Sequence, residues 1–477
     1  MISVTVQIDH DSGIPLHRQI ADGIERAVDS GQLRRDRNLP SVRELSSRLS
    51  VSPSTVTAAY RELVARRVVE ARSRSGYRAA AGAGSEERAL GRATRADGVP
   101  YPLHRIEPNL IRHPAAEFGR LVAECAAEGS GVGGYEDYRG YGPLREALAE
   151  LLRADGVDAD AERGILVTNG AQHAIALAAR TAGPSARIAM EDPAYPGARL
   201  AFQAVGAEIV PIPMTAQGPD VAALEAAAAR GRIDLFYCCP AYGNPSGRSW
   251  SAETRERALA AAARWDFAIL EDDYLGDLDY LGEGLPLLAA LAPKAGARVI
   301  HVRTFSKCLL PALRIAAVAA APQTIDRLLP AKTVDDICGS SFLQRPLARY
   351  LAEGRYRRHL EAVKPHYSAV REAVRARAAA GSGGIVYDDP PGGLCLLGTL
   401  PAGVDVERFS EACRAEGALV SPGPSYWARE SDGAGRFRIG FGCLESAEAD
   451  GALSAIERAL ERTRSGERES FFRRALL

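Results

Sequence analysis

Lys307 closes the run Val299-Ile300-His301-Val302-Arg303-Thr304-Phe305-Ser306-Lys307, a hydrophobic strand ending in two hydroxyl residues and a lysine, and Arg314 follows seven positions on. The chain holds 59 Lys+Arg, of which only four are lysines: Lys294, Lys307, Lys332 and Lys364. Arginine serves wherever a generic positive charge will do. A guanidinium stays protonated and cannot form a Schiff base at neutral pH. A lysine kept at a strand end beside Thr304 and Ser306 therefore points to an aldehyde cofactor, with pyridoxal 5'-phosphate as the obvious candidate. The bland alternative is an ordinary surface lysine.

Four more strand ends carry side chains with chemistry. Asn169-Gly170-Ala171-Gln172 follows one apolar run and opens a helix. Small residues at a helix N-terminus make a phosphate cup from backbone N–H groups, which Thr304, Ser306 and the charge of Arg314 would complete. Tyr195, after Glu191-Asp192-Pro193-Ala194, offers a face for a flat ring or is simply a loop tyrosine. Asn244, in Pro240-Ala241-Tyr242-Gly243-Asn244-Pro245-Ser246-Gly247, could donate to a phenolate oxygen or merely start an Asn-Pro turn. Glu271-Asp272-Asp273-Tyr274 ends another buried run. A carboxylate leaving such a strand is costly unless paired. A protonated pyridine nitrogen would satisfy Asp272 and strengthen the ring as an electron sink, with Tyr274 sharing the phenolate oxygen. An acidic loop or a Mg²⁺ ligand pair is the competing reading.

The elements that must position these residues form an α/β alternation. Candidate strands are Gly164–Thr168, Arg187–Met190, Glu208–Ile212, Leu235–Cys238, Ala268–Leu270, Val299–Arg303 and Ile315–Ala319, with helical stretches such as Gln172–Thr181, Val221–Arg230 and Ala252–Arg264 between them. Ligand groups are expected at the carboxyl ends of such strands.

Upstream of residue 80 the pattern changes. Leu16, Ile20, Ile24 and Val28 form one stripe of a helix over Pro15–Ser30, which Gly31 stops. Ser41, with Glu44 three positions on, predicts the capping box of a second helix. Ser52 caps a third, with Pro53 in its first turn, and Arg67–Arg78 reads as a short hairpin. Two short helices across a tight turn and a basic hairpin describe a winged helix-turn-helix, whose third helix would enter the major groove. Ser54, Thr55, Thr57 and Arg61 are its predicted exposed positions, and Arg66, Arg67, Arg72, Arg74 and Arg78 a backbone clamp. A small helical bundle that docks protein is the alternative.

The whole chain bounds these readings. At 477 residues, 46% hydrophobic and 25% charged, it has room for two or three globular domains. A formal net charge of −1 gives no global pull toward nucleic acid or membrane, yet residues 1–80 hold thirteen Arg, no Lys and nine Asp+Glu, a local net of +4. Eight scattered cysteines without metal spacing predict free thiols in a reducing compartment. No signal peptide or membrane span is visible, so a cytoplasmic protein with no membrane partner is expected. The expected domains are 1–79, a linker over 80–100, a large module over 101–466 and a tail over 467–477.

Pro15-Leu16-His17-Arg18-Gln19-Ile20, Gly31-Gln32-Leu33, Leu39-Pro40-Ser41-Val42-Arg43-Glu44-Leu45, Val51-Ser52, Thr55-Val56 and Ala59-Tyr60-Arg61-Glu62-Leu63 resemble the DNA-binding domain of GntR-family bacterial regulators. Asp36 stands where that family usually has Gly, and Pro53 where it often has Arg, which removes one expected DNA contact. The order Asn169-Gly170-Ala171-Gln172, Asn244-Pro245-Ser246-Gly247, Asp272-Asp273-Tyr274, Ser306-Lys307, Arg314 and Arg436-Phe437-Arg438-Ile439-Gly440-Phe441 resembles fold-type I, class I/II aminotransferases, with a large α/β domain and a smaller C-terminal one.

The resemblance implies an aldimine at Lys307 and a base role for that lysine once freed. It implies Asp272 on the pyridine nitrogen, Asn244 and Tyr274 on the phenolate oxygen, and Tyr195 on the ring. Ala171, Gln172, Thr304, Ser306 and Arg314 would hold the phosphate, and Arg438 a substrate or effector carboxylate. On the DNA side it implies Arg43, Ser52, Ser54, Thr55, Thr57, Arg61, Arg72 and Arg74. Ile106-Glu107-Pro108-Asn109 departs from the Gly-x-Pro common on the substrate side, and Tyr135-Glu136-Asp137-Tyr138-Arg139-Gly140 is a loosened Tyr-Gly-Asp-Pro-x-Gly. Joined, the halves resemble the MocR/GabR subfamily. That implies a homodimeric regulator binding double-stranded operator DNA and answering a small amine or amino-acid effector. A working aminotransferase with a vestigial or assembly-only N-terminal module is the alternative.

Overall fold

The computed structural model describes residues 12, 15–29, 39–65, 68–72, 76–79, 99–128, 133–280, 282, 284–381, 383–390 and 392–475. Gly31, Asp36, Arg66, Arg67, Arg74 and nearly all of the 80–100 linker lie outside them, as do the side chains of Arg72 and of the tail from residue 467. The chain forms two units, Met1–Gly98 and Val99–Leu477.

In the first unit, helix α1 (Leu16–Asp29) is followed by α2 (Val42–Leu49) and α3 (Pro53–Ala65). Ser41 caps α2, its hydroxyl accepting from the Glu44 N–H at 3.2 Å. Ser50 stops that helix in the left-handed conformation, and the turn is closed by Ser46 Oγ donating to the Val51 carbonyl. Ser52 then caps α3, accepting from the Thr55 N–H at 3.1 Å. Ile20, Ile24, Leu45, Val56, Tyr60 and Leu63 close on one another as the core. Strands β1 (Val69–Arg72) and β2 (Gly76–Ala79) form the antiparallel wing. Tyr60 ties it down, its ring 4.6 Å from that of Tyr77 and its hydroxyl on the Pro40 carbonyl.

The second unit is built on an eight-stranded sheet. Its strands are β3 (Ile165–Thr168), β4 (Arg187–Asp192), β5 (Glu208–Thr215), β6 (Gly218–Pro219), β7 (Leu235–Cys238), β8 (Ala268–Asp273), β9 (Arg298–Thr304) and β10 (Ala316–Ala319), in the order β3-β10-β9-β8-β7-β4-β5-β6. Strands β9, β8, β7, β4 and β5 are parallel, while β10 runs against both its neighbours. Both faces of the sheet are covered, as continuous apolar strands require. Leu235 and Tyr237 join the cluster under the helices Ala171–Ala182 and Pro196–Ala204; Phe236 joins the opposite one, under Val221–Arg230 and Ala252–Trp265.

Four short antiparallel strands, β11 (Val386–Tyr387), β12 (Cys395–Thr399), β13 (Ser421–Pro422) and β14 (Arg436–Gly440), make a second sheet in the order β11-β12-β14-β13. The helices Arg355–Ala380, Val406–Ala415 and Ala449–Ala475 accompany it. The expected architecture, a winged helix-turn-helix plus a large α/β domain and a smaller C-terminal one, is the observed one. Among the described residues no helix is long and apolar enough to cross a membrane.

Candidate functional site

At the carboxyl ends of the central strands lies a cavity of about 330 Å³. Lys307 enters it just after β9, Asp272 near the end of β8, and Asn244 from the loop after β7. Tyr195, Tyr274 and Arg438 complete its walls. A larger hollow of about 850 Å³ lies elsewhere in this unit. Its buried Arg303 is already neutralised by Asp273 at 3.1 Å and by Asp155.

Strand alternation decides which carboxylate reaches the cavity. Glu271 and Asp273 turn away. The first takes His301 and the N–H groups of Leu288 and Ala289; the second takes Arg303 and the Gly276 N–H. Asp272 faces the other way, only 4% exposed. Its Oδ2 accepts from the Tyr237 hydroxyl at 2.7 Å, and its Oδ1 is buried without a partner. Burial pushes its pKa up to about 6, the Tyr237 bond working against that rise. An orphaned carboxylate oxygen at a cavity wall fits a cationic ring nitrogen. Among the described residues no group of His, Cys, Asp and Glu is arranged to hold a metal ion.

Lys307 is half-buried. Burial lowers its pKa, Arg438 and Arg314 lower it further, and Glu107 opposes them. A larger neutral fraction makes the amine a better nucleophile. Across the cavity, Gly170 precedes the helix Ala171–Ala182 with φ +85°, and a Cβ there would lie 2.6 Å from Arg314 Nη2. Arg314 donates to Ser306 Oγ and to the Asn169 carbonyl, and Thr304 Oγ1 donates to Ser306 Oγ at 3.1 Å. Guanidinium, two hydroxyls and the helix N-terminus with Ala171 and Gln172 thus converge, the arrangement that an anionic phosphate fits.

Arg438, on β14, is 5% exposed. It donates to Asn244 Oδ1 at 2.9 Å and to the His104 carbonyl, and its Nε is buried without a partner. Because a guanidinium only donates, Asn244 must point its oxygen at Arg438, which leaves its NH₂ as donor for another group. Tyr274 lines the same cavity as Asn244, and its hydroxyl donates to the Tyr242 carbonyl at 2.6 Å.

Sequence reasoning missed Tyr237 and Cys239, beside Asp272, and Arg105, and took Glu107 only as part of a segment that departs from Gly-x-Pro. Tyr237 had a signal: a tyrosine inside the buried run Leu235–Cys238 needs a partner for its hydroxyl.

On the first unit, Arg43, Ser52, Ser54 and Arg61 are exposed as expected, while Thr55 and Thr57 are half-buried. Four of these side chains, Ser52, Ser54, Thr55 and Thr57, are engaged in local bonds. The Ser52 hydroxyl contacts those of Ser54 and Thr55, each at 2.7 Å, and Thr57 Oγ1 donates to the Pro53 carbonyl. These short side chains first satisfy the start of their own helix.

Comparison with known proteins places both units. Residues 109–456 match the family described as aminotransferase class I and II, and residues 16–78 the gntR family of bacterial regulatory proteins. The HTH-type transcriptional regulator TauR of Rhodobacter capsulatus is 31% identical across 93% of this chain and 96% of its own. The probable rhizopine catabolism regulatory protein MocR of Rhizobium meliloti is 28% identical across 87% and 88%. The α-aminoadipate aminotransferase LysN of Thermus thermophilus, solved with N-(5'-phosphopyridoxyl)-L-leucine, superposes with a TM-score of 0.72 at 26% identity, over 80% of this chain and all of its own. A fold shared with such enzymes implies dependence on pyridoxal phosphate. The chain belongs to the MocR/GabR subfamily of GntR-family transcriptional regulators, in which a winged helix-turn-helix is joined to a class I and II aminotransferase domain.

Proposed function

We propose that this protein is a DNA-binding transcriptional regulator whose aminotransferase-like unit senses pyridoxal 5'-phosphate, or an amine or amino acid that reacts with it, at Lys307. The observation that carries this is the unpartnered Asp272 Oδ1, facing the same cavity as a lysine of lowered pKa, in a chain that also carries a gntR-family domain. Relatives named as regulators span both units, which favours regulation over turnover as the main role.

Asp272 would hold the pyridine nitrogen, Asn244 the phenolate oxygen through its NH₂, and Tyr195 the ring face. Ala171, Gln172, Thr304, Ser306 and Arg314 would hold the phosphate, and Arg438 the carboxylate of an incoming amino acid. Bound there, the cofactor supplies an aldehyde for amines and a ring that withdraws electrons. Lys307 provides the attacking nitrogen and, once released, a base within the cavity. Tyr274, committed to the Tyr242 carbonyl, positions the loop after β7 that carries Asn244. The regulator works as a homodimer on operator DNA through α3 and the wing, and the amine held in the cavity changes its DNA contacts.

The test reads the visible spectrum of the purified full-length protein, titrated with amines, beside a gel shift on its own upstream region. Lys307→Ala should abolish both the cofactor's protein-bound absorbance and the borohydride-trapped mass at that position. An unchanged spectrum in that variant overturns the anchor. Rapid multiple turnover with amino and 2-oxo acids, and no DNA retention, overturns the regulator.

A further inference from the structure

Arg438 is oriented from three sides. It donates to Asn244 Oδ1 and to the His104 carbonyl, and its Cζ lies 5.3 Å from the centre of the Tyr426 ring. A ring face against a guanidinium restricts the plane in which it can donate. Tyr426 is itself pinned at both ends. Its hydroxyl pairs with Ser421 Oγ at 2.8 Å, and its carbonyl accepts from the Ala194 N–H at 3.0 Å.

Tyr426 belongs to the loop between β13 and β14, and Arg199 reaches it from the helix Pro196–Ala204. Arg199 Nη1 donates to the carbonyls of Ser425 at 3.2 Å and Trp427 at 2.6 Å, and Nη2 donates to that of Tyr426 at 2.7 Å. Three consecutive carbonyls thus converge on one planar fork, a geometry that the single ammonium of a lysine does not match. Asp192 stands 3.7 Å from Nη2, and the same oxygen accepts from the Ala428 N–H at 2.7 Å. The Arg199 side chain is only 13% exposed, and its Nε is buried without a partner. A guanidinium so placed gives up much of its hydration to answer carbonyls. What it secures is the path of the main chain through residue 426.

We propose that Arg199, which stands outside the cavity wall, is a positioning residue for ligand recognition. By locking the carbonyls of residues 425–427 it holds Tyr426 against Arg438, and so keeps that guanidinium aimed at the carboxylate of an amino-acid ligand. This rests on the reading that Arg438 grips such a carboxylate beside bound pyridoxal phosphate. The effect is selective, because an amine without a carboxylate makes no use of Arg438.

The experiment titrates the cofactor-loaded full-length protein with pairs that differ only by the carboxylate: L-alanine and ethylamine, L-norvaline and butylamine, L-phenylalanine and 2-phenylethylamine. Heat of binding and visible absorbance are the readouts, and the preference is the ratio of affinities within a pair. Arg438→Gln should cut the preference by about tenfold or more. Arg199→Met, which keeps the length and removes the donors, should cut it by about five- to tenfold while the amines bind within about twofold of before. Arg199→Lys should fall between Arg199→Met and the native protein. With Arg438→Gln already in place, Arg199→Met should lower the preference no further, since both act through one guanidinium. A merely structural Arg199 would weaken both members of each pair alike. That result overturns the proposal, as does an unchanged preference in Arg199→Met or an additive loss in the double variant. If Arg199→Met does not fold, Tyr426→Leu decides: the same loss supports the proposal, and an intact preference overturns it. A native protein without the preference, or a preference that survives Arg438→Gln, sinks the underlying carboxylate reading. A preference that depends on Arg438 and ignores Arg199 sinks this inference alone.

Discussion

Asp272 shows at the scale of one residue what readiness for a ligand costs. Its carboxyl lies 4% exposed with one oxygen on Tyr237 and the other on nothing. Burial lifts its pKa from an ordinary 3.8 to about 6. A carboxyl whose folded pKa lies above its unfolded value binds more protons in the folded state. In cofactor-free protein the contribution of Asp272 to stability therefore falls as pH rises from about 4 to about 6, and its whole cost, on the order of 3 kcal/mol, is present at neutral pH. In cofactor-stripped protein, Asp272→Asn should raise the melting temperature clearly more at pH 7.5 than at pH 4.5, where only about a third of the cost is present, while cofactor affinity falls at pH 7.5. Glu191, also raised by burial, to about 7, is present in both proteins and so largely cancels in the comparison. Melting curves at the two pH values decide it. An equal shift at both would mean that the charge of Asp272 is not what the protein strains against.

At the scale of elements, the helix start at Gly170 carries a sharp test. Alanine there would force a side chain into φ +85° and place its Cβ 2.6 Å from Arg314 Nη2. The helix behind it is anchored by buried Ala174, Ile175 and Ala178, so the fold should survive. Arg314 should not keep its place. Gly170→Ala should weaken pyridoxal phosphate by about tenfold or more while affecting pyridoxal, which lacks the phosphate, much less; a charge-assisted phosphate contact is worth that much. Equal losses for the two would remove the phosphate cup from this helix.

The same elements show why some of the chain could be read from its sequence. Strand starts such as Arg187, Leu235 and Ala268 coincide with the onset of apolar runs. Strand ends ran on, to Asp192 and Asp273, because hydropathy stops at the first charge whereas the ladder does not. The residues named at those ends do meet in one cavity, because parallel strands bring their carboxyl ends together. The hydroxyl of Tyr274 could not be assigned beforehand, since the carbonyl it chooses lies 32 residues away in sequence. Nor could the short strands β11 and β13, two residues each, whose pattern is too brief to show a period.

At the scale of the whole molecule, two cores are closed on themselves. Ile20, Leu45, Tyr60 and Leu63 belong to one cluster, and every buried apolar cluster of the aminotransferase-like unit draws only on residues after Val99. Among the described residues neither core depends on the other for its apolar contacts. Removing residues 1–79 should therefore leave cofactor absorbance and the melting of the large unit close to those of the full chain. Retention of upstream DNA should disappear, because residues 1–80 carry a net +4 in a chain whose total is −1. Retention by the full chain should also fall steeply as salt rises from about 50 to about 200 mM, since phosphate contacts release counterions. Gel shifts of both proteins across that salt range measure this. If the truncated protein holds the DNA as well, or if salt leaves retention untouched, then α3 and the wing are not the DNA-reading surface, however closely their sequence resembles one.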